Sequence, residues 1–260
     1  MSRHFTSVWT REPRRPAGAA PGRSREEIVR AAVELLDAEG LDGLSMRKLG
    51  AKLMSGATSL YWYVATKDEL LELAYDEVWG EIKVPDPDEA HWREVASVLA
   101  HSLRQAMLRH PWTADLIGRL PALGPHAIEV SDRMRRTFRL AGFSGWDIDF
   151  AGATLTAFIF GMTTPEIAWN TSMGDDFDPD EARAMLRRVA AQHPDLLEAA
   201  DTAHYEDPRL VRAMAFDFGL VSVLDGLERR LTGHQGHQAA RRPDDPIAPD
   251  PRPAGRPDRP

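Results

Sequence analysis

The stretch SMRKLGAKLMSGATSLYWYVATKDELL, residues 45–71, decides the fold. Ser45 is a hydroxyl placed to cap a helix. The helix it predicts covers 46–53, with Met46, Leu49 and Leu53 on an inner face and Arg47, Lys48 and Lys52 on a basic outer side. Met54-Ser55-Gly56 reads as a turn, and a further short helix follows over 57–63. Thr66-Lys67-Asp68-Glu69 has the capping-box pattern, a hydroxyl with a Glu three positions on. It opens a longer helix reaching about Lys83, with Leu70, Leu73, Ala74 and Val78 inward. Two short helices joined by a tight turn amount to a helix-turn-helix unit.

Upstream, Ser24-Arg25-Glu26-Glu27 is an earlier capping box, and Ile28, Ala31, Ala32, Leu35 and Leu36 form one apolar stripe behind it. Gly40 supplies the stop. Residues 1–23 are rich in Arg, Pro and Gly without apolar periodicity. They read as a disordered basic arm, either a plain tail or one whose Arg11, Arg14, Arg15 and Arg23 track a DNA groove.

Downstream, Pro85 and Pro87 mark a boundary, so the helix-turn-helix domain covers 24–84 and a second domain 85–232. Helical periodicity predicts elements over 88–110, 125–141, from 145 past Met162, 179–192 and 208–231, with a short piece at 113–118. Pro165 is expected to kink or divide its helix, and Asp178 and Asp207 stand as caps before Pro. Residues 233–260 read as a disordered tail. No segment alternates as a strand does, so the fold is all-α: a three-helix head joined by a long helix to a helical bundle.

Composition sets the outer limits. Apolar residues make up 43% of the 260, enough for a sizeable core. Cys is absent, which excludes disulfides, thiolate zinc sites and thiol nucleophiles and fits a reducing cytoplasm. No apolar run is long enough to span a bilayer and none opens the chain as a secretory signal. The net charge of −8 is uneven: residues 1–84 hold 12 Lys and Arg against 13 Asp and Glu, and the remainder 20 against 27. All four lysines, Lys48, Lys52, Lys67 and Lys83, lie in the first part, so the acidity does not argue against a DNA-binding head. The H-E-x-x-H motif, Gly-rich phosphate loop and G-x-S-x-G elbow are all missing, and no enzyme is expected. His234 and His237 lie in the tail without further ligands, so neither a metal nor a cofactor is expected.

Residues 24–83 closely resemble the DNA-binding head of the tetracycline-repressor family, through SMRKLG, SLYWYV and TKDELL in that order. More loosely, LRHPW (108–112) and FDFGLVSVLDGLERR (216–230) are similar to that family's ligand-binding and dimerisation domain, in its tetracycline-repressor-like branch. The resemblance implies a ligand-responsive regulator, a repressor or an activator. It would bind a palindromic DNA operator as a homodimer through the helices at 145–164 and 208–231, released by a small-molecule effector. Residue chemistry agrees for the DNA side. Ala57, Thr58 and Ser59 put short side chains at the start of the recognition helix, and Tyr61, Trp62 and Tyr63 offer rigid rings with polar tips. Ser45, Arg47 and Lys67 sit at helix starts where phosphates bind. For the effector, His101, Arg104, Gln105, Trp112, Phe138, Thr154, Phe158, Met162 and Trp169 mix aromatic walls with polar groups.

Two features depart from the family. Met54 stands where Gly is usual, in a turn that favours a left-handed backbone, and HPWTADL replaces the pattern around the metal-binding His of the tetracycline repressors, so a tetracycline–magnesium ligand is not expected. The rival reading is a helical sensor whose head no longer reads DNA.

Overall fold

The computed structural model describes residues 7–10, 24–173, 178–202 and 208–240. Among these the chain is helical, with no strand. The head is formed by α1 (Arg25–Gly43), α2 (Met46–Lys52), α3 (Ala57–Leu60) and α4 (Lys67–Gly80). Ser24 closes a full capping box with Glu27, and Ser45 accepts from Lys48 N at 3.2 Å. Thr66 accepts from Glu69 N at 3.0 Å, but the Glu69 carboxylate reaches back to Ala65 N, one residue beyond the Thr66 N–H of the reciprocal bond expected. Ile28, Leu36, Leu44, Leu49, Leu60, Val64 and Leu70 fill the centre of the head.

The rest consists of α5 (Trp92–Arg109), a 3-10 helix over Pro111–Leu116, α6 (Pro125–Ala141), α7 (Trp146–Met173), α8 (Pro179–Val189), α9 (Pro194–Thr202) and α10 (Pro208–Ala240). Here α5, α6 and α7 pack on one another, α10 packs along α7, and α6 returns onto α4. In α5 the predicted stripe of Val95, Leu99, Leu103, Ala106 and Met107 is buried in full. One continuous apolar core runs from α1 to α10.

Gly40 (φ 68) keeps its expected place as the stop, since the backbone leaves the helical region there and the piece to Gly43 is a second short helix across a kink. Several boundaries differ from the sequence reading, each for a local reason. The recognition helix keeps regular geometry for four residues only, and Tyr61–Tyr63 continue it as a turn whose N–H groups reach back to Ser59 and Leu60 carbonyls. α4 stops at Gly80, before Lys83, and α5 starts at Trp92, capped by His91, where 88 was expected. The piece expected at 113–118 begins at Pro111 and is 3-10 in geometry. Pro165 does not divide α7, which runs unbroken for 28 residues. The lost N–H falls on the exposed side of that helix, where a helical carbonyl finds water. α9 was not expected, and α10 continues to Ala240, so residues 233–240 of the supposed disordered tail are helical. Likewise Ser7–Thr10 of the supposed disordered arm are ordered: Ser7 Oγ donates to the buried Glu72 carboxylate of α4, and Val8 N donates to the same oxygen at 3.0 Å. Arg11, Arg14, Arg15, Arg23, Asp207 and residues 241–260 lie outside the described residues.

Candidate functional site

The face carried by α2, α3 and the turn after α3 gathers the residues picked out for DNA. Ser45 and Arg47 lie at the start of α2, Thr58 and Ser59 in α3, and Tyr61–Tyr63 directly after it. Tyr61 and Trp62 are 49% and 70% exposed, a heavy exposure for rings unless a partner covers them. Thr58 is exposed and Tyr63 half-buried. Ala57 is the first residue of α3. The neighbouring hydroxyls are already engaged: Ser59 Oγ donates to Gly56 O at 2.7 Å and lies 2.5 Å from Ser55 Oγ. Ser59 therefore shapes the turn, and Ser45 caps α2.

Electrostatics sort the cations of the head. Lys48 pairs with Glu39, and Lys52 with Glu34 at 2.9 Å, so both are spent on holding α2 against α1. Arg25 lies 3.5 Å from Glu69. Arg47 is exposed and has no ion pair among the described residues. The Lys67 ammonium donates one bond, to Leu41 O at 3.0 Å, which leaves it further hydrogens for an anion. A near-neutral head thus still presents unspent positive charge, at Arg47 and Lys67, on either side of the exposed Tyr61. Met54 takes φ 48 in the turn, the left-handed backbone expected there, with its side chain 92% exposed. Such a conformation costs a non-Gly residue about 1 kcal/mol.

The head is tied to the bundle by buried polar contacts. Asp37 of α1 accepts from Trp112 Nε1 at 2.7 Å and lies 2.7 Å from His110 Nδ1, while His110 Nε2 is 3.2 Å from Glu81 Oε1. One helical turn before the end of α4, Asp76 accepts from the backbone N–H groups of His126 and Ala127, at 3.3 and 3.0 Å. It caps α6 in place of a local side chain, since α6 has none. Gly124 makes this possible, because a Cβ there would lie 2.1 Å from Asp76 Cγ.

The nine residues picked out for an effector are dispersed. Trp112 is spent on Asp37, and Phe138 is fully buried between Trp92 and Phe143. Arg104 makes a two-pronged ion pair with Glu166, both side chains nearly buried, and lies over the Phe216 ring. His101 lies 2.8 Å from Asp217 and contacts the same Phe216, as does Phe158. These three therefore surround one aromatic ring of α10. Arg212 lies over Trp169. Gln105, Thr154 and Met162 are exposed.

A small apolar gap lies elsewhere, between α4, α5, the 3-10 helix and α7. It holds about 10 Å³, room for one water at most, and is walled by Tyr75, Trp79, Leu103, Met107, Thr113 and Phe160 among others, none of the nine included. Tyr75 and Trp79 meet edge to face, with centroids 6.1 Å apart. Burial pushes the Tyr75 phenol above its ordinary range, partly offset by the neighbouring indole. Trp79 Nε1 is the one buried side-chain polar atom without a hydrogen-bond partner among the described residues. Tyr75 and Trp79 were legible as an i, i+4 aromatic pair on the inner side of a long helix. Nothing in the sequence said that Thr113 and Phe160 would face them.

The family model of tetR-family bacterial regulatory proteins matches residues 28–74, and that of the tetracyclin repressor-like C-terminal domain matches 84–231. The chain belongs to the tetR family. It is a TetR-family transcriptional regulator, not an enzyme. An HTH-type transcriptional regulator of Saccharopolyspora erythraea is 40% identical over 63% of this chain and 69% of its own. The HTH-type transcriptional repressor DrrR1 of Streptomyces coeruleorubidus is 29% identical over 92% and 90%. Among solved structures, the Streptomyces coelicolor TetR family protein ActR in complex with actinorhodin is 30% identical, with a TM-score of 0.67 over 81% of this chain and 99% of that one. Among the described residues of this TetR-family regulator, no helix is long and apolar enough to cross a membrane.

Proposed function

We propose that this regulator is a repressor that binds a palindromic DNA operator in the cytoplasm as a homodimer and is released by a small-molecule effector. The observation that carries the DNA half is the exposed cluster of Thr58, Tyr61 and Trp62 flanked by Arg47 and Lys67, whose charge nothing else in the head consumes. A helix start bearing short polar side chains meets base edges in the major groove, and the flanking cations meet phosphates.

The dimer reading rests on two apolar stripes. On α7, Trp146 and Phe150 stack and stay 76% and 61% exposed, and Ala153, Ala157 and Gly161 continue the line. On α10, Met214, Phe218 and Val221 are exposed in phase. Two packed helices that each leave a second apolar face in water suit a four-helix interface with a second copy. The effector is assigned to the helical half of the chain, which matches the tetracyclin repressor-like C-terminal domain over residues 84–231. The similarity to ActR, a protein solved in complex with actinorhodin, supports a small-molecule effector. By linkage, an effector that prefers the form with weak DNA affinity lowers operator affinity by the factor that DNA lowers its own.

The rival reading, a sensor with a silent head, draws on the strained Met54 turn. Fluorescence anisotropy with DNA from upstream of the protein's own gene, at two salt concentrations and against unrelated DNA, separates the two. Selective binding with a steep salt slope is expected. Retained fold and dimer by sedimentation, with no selectivity in any random DNA pool, would sink the repressor.

A further inference from the structure

Glu72 lies in the middle of α4 with only 6% of its surface exposed, and no ion pair reaches it among the described residues. A buried carboxylate without a counter-ion persists where hydrogen bonds replace its water. Both donors that the structure gives Glu72 come from one short stretch, 65 and 64 positions upstream: Ser7 Oγ–H and Val8 N–H meet the same oxygen, Oε2. Ser7 is itself buried. Its Oγ accepts from Trp9 N at 3.2 Å, and its carbonyl accepts from Thr10 N at 3.2 Å and Thr10 Oγ1 at 3.0 Å. Val8 and Trp9 are half-buried and pack against the continuous apolar core. The stretch is thus seated by apolar contact and pinned by a single acid.

The place of that acid on α4 gives the contact a consequence. Lys67 opens the same helix, and Asp76, one turn after Glu72, caps α6. With the stretch lifted off, the Glu72 carboxylate would lose both donors. To recover them from water α4 would have to turn, and the helix that aims Lys67 at a phosphate would turn with it.

We propose that residues 7–10 are a strap whose seat is Glu72, and that the head holds its DNA-binding form only with the strap in place. Ser7 and Glu72 are then positioning residues for Lys67 and the surface beside it. The role in DNA binding rests on the repressor reading; the seat does not. By linkage, DNA that prefers the seated form tightens the strap by the factor by which the strap tightens DNA.

Amide hydrogen exchange on the full-length protein reads the strap directly, since the Val8, Trp9 and Thr10 N–H groups are all bonded when it is seated. In the wild type these amides are expected to exchange about a hundredfold more slowly than in Glu72→Leu, the worth of two bonds to a charged group. Ser7→Ala removes one of the two and should give up about tenfold of that protection. Exchange at free-peptide rates in the wild type overturns the strap. Protection that survives Glu72→Leu, with helical circular dichroism intact, overturns Glu72 as its seat. Should Glu72→Leu not fold, the wild-type and Ser7→Ala rates decide the same question.

The role in DNA binding is read by fluorescence anisotropy with DNA from upstream of the protein's own gene. Ser7→Ala combined with Val8→Pro removes both donors and leaves Glu72 in place. It is expected to bind about tenfold more weakly, because only the fraction with α4 in position is competent. Adding Glu72→Leu, which needs no donors, should restore the affinity, a rescue that a general loss of stability would not give. The same DNA should slow exchange of the strap amides in the wild type about tenfold, a measurement that needs no variant. Unchanged affinity in the unseated variant, or exchange indifferent to bound DNA, overturns the coupling and leaves a strap that only stabilises the fold. A wild type that binds no DNA removes the repressor reading and the coupling together, while the exchange rates still decide the strap.

Discussion

The surface of the head proposed to face DNA and the apolar gap of the bundle are built by opposite means. The first lies within a single stretch of 23 residues, Ser45 to Lys67, and its reading side chains stand in water. The second draws on α4, α5, the 3-10 helix and α7, more than 80 positions apart along the chain, and is walled by apolar side chains. A surface that must meet a polyanion needs exposed, locally spaced groups that secondary structure alone can aim. A gap closed off inside a bundle needs walls from several directions, which only packing can assemble. The contrast also explains the charges. In the head, Lys48 and Lys52 are consumed by α1 acids at the surface, where pairs contribute little. In the bundle the deepest ion pair among the described residues, Arg104–Glu166, has side chains only 12% and 7% exposed and so matters far more.

The largest effect expected belongs to that pair. Glu166→Ala leaves the Arg104 guanidinium buried and unpaired and should cost about 3–5 kcal/mol of stability in urea unfolding. A loss under 1 kcal/mol would mean that the bundle tolerates charge as the head does, and the contrast would fail. Next in size, Tyr61→Ala should weaken operator binding by about 1–3 kcal/mol with melting temperature unchanged. Lys67→Ala should instead lower the slope of log affinity against log salt by about one.

Smaller effects sharpen the head itself. Ser45→Ala removes the α2 cap and should destabilise by about 1 kcal/mol. Met54→Gly relieves the left-handed backbone and should stabilise by about 0.5 kcal/mol, the strain released less the added freedom of the unfolded chain. If Met54→Gly destabilised the protein instead, the exposed Met54 side chain would have an unseen partner. The smallest concerns Tyr75. Burial disfavours its phenolate, so its folded value lies above the ordinary 10.0. Its contribution to stability is complete below about pH 10 and is lost as pH rises through the raised value. In an absorbance titration, Tyr75→Phe should remove the latest-ionising phenol, and loss of an earlier step would place Tyr75 in water.

Much of the head was legible because its determinants are short-range. Ser24, Ser45 and Thr66 each cap the helix they precede, and Leu49, Leu60, Val64 and Leu70 are buried as their spacing requires. The left-handed turn at Met54 followed from the family resemblance, which places Gly there; Met by itself predicts no positive φ. The α3 boundary was less secure, because Tyr61–Tyr63 hold to it by turn-like bonds that periodicity does not distinguish from a helix. In the bundle, the stripe on α5 and the start of α6 at Pro125 were equally plain.

What the amino-acid order determined by itself was therefore the helical class, the family, and which residues of 45–67 make up the surface we propose faces DNA. All three rest on interactions between residues a few positions apart. Tertiary structure alone decided that Asp76 caps a helix 50 residues away, that Glu72 holds the stretch after residue 6, and that Trp112 ties α1 to the bundle while Trp79 lines the apolar gap. Both are Trp residues in apolar helical stretches, indistinguishable by type and spacing. Their roles diverge because one indole N–H meets a carboxylate from another helix and the other meets none among the described residues. A hydrogen-bond partner supplied by distant chain is a property of packing, and no local pattern encodes it.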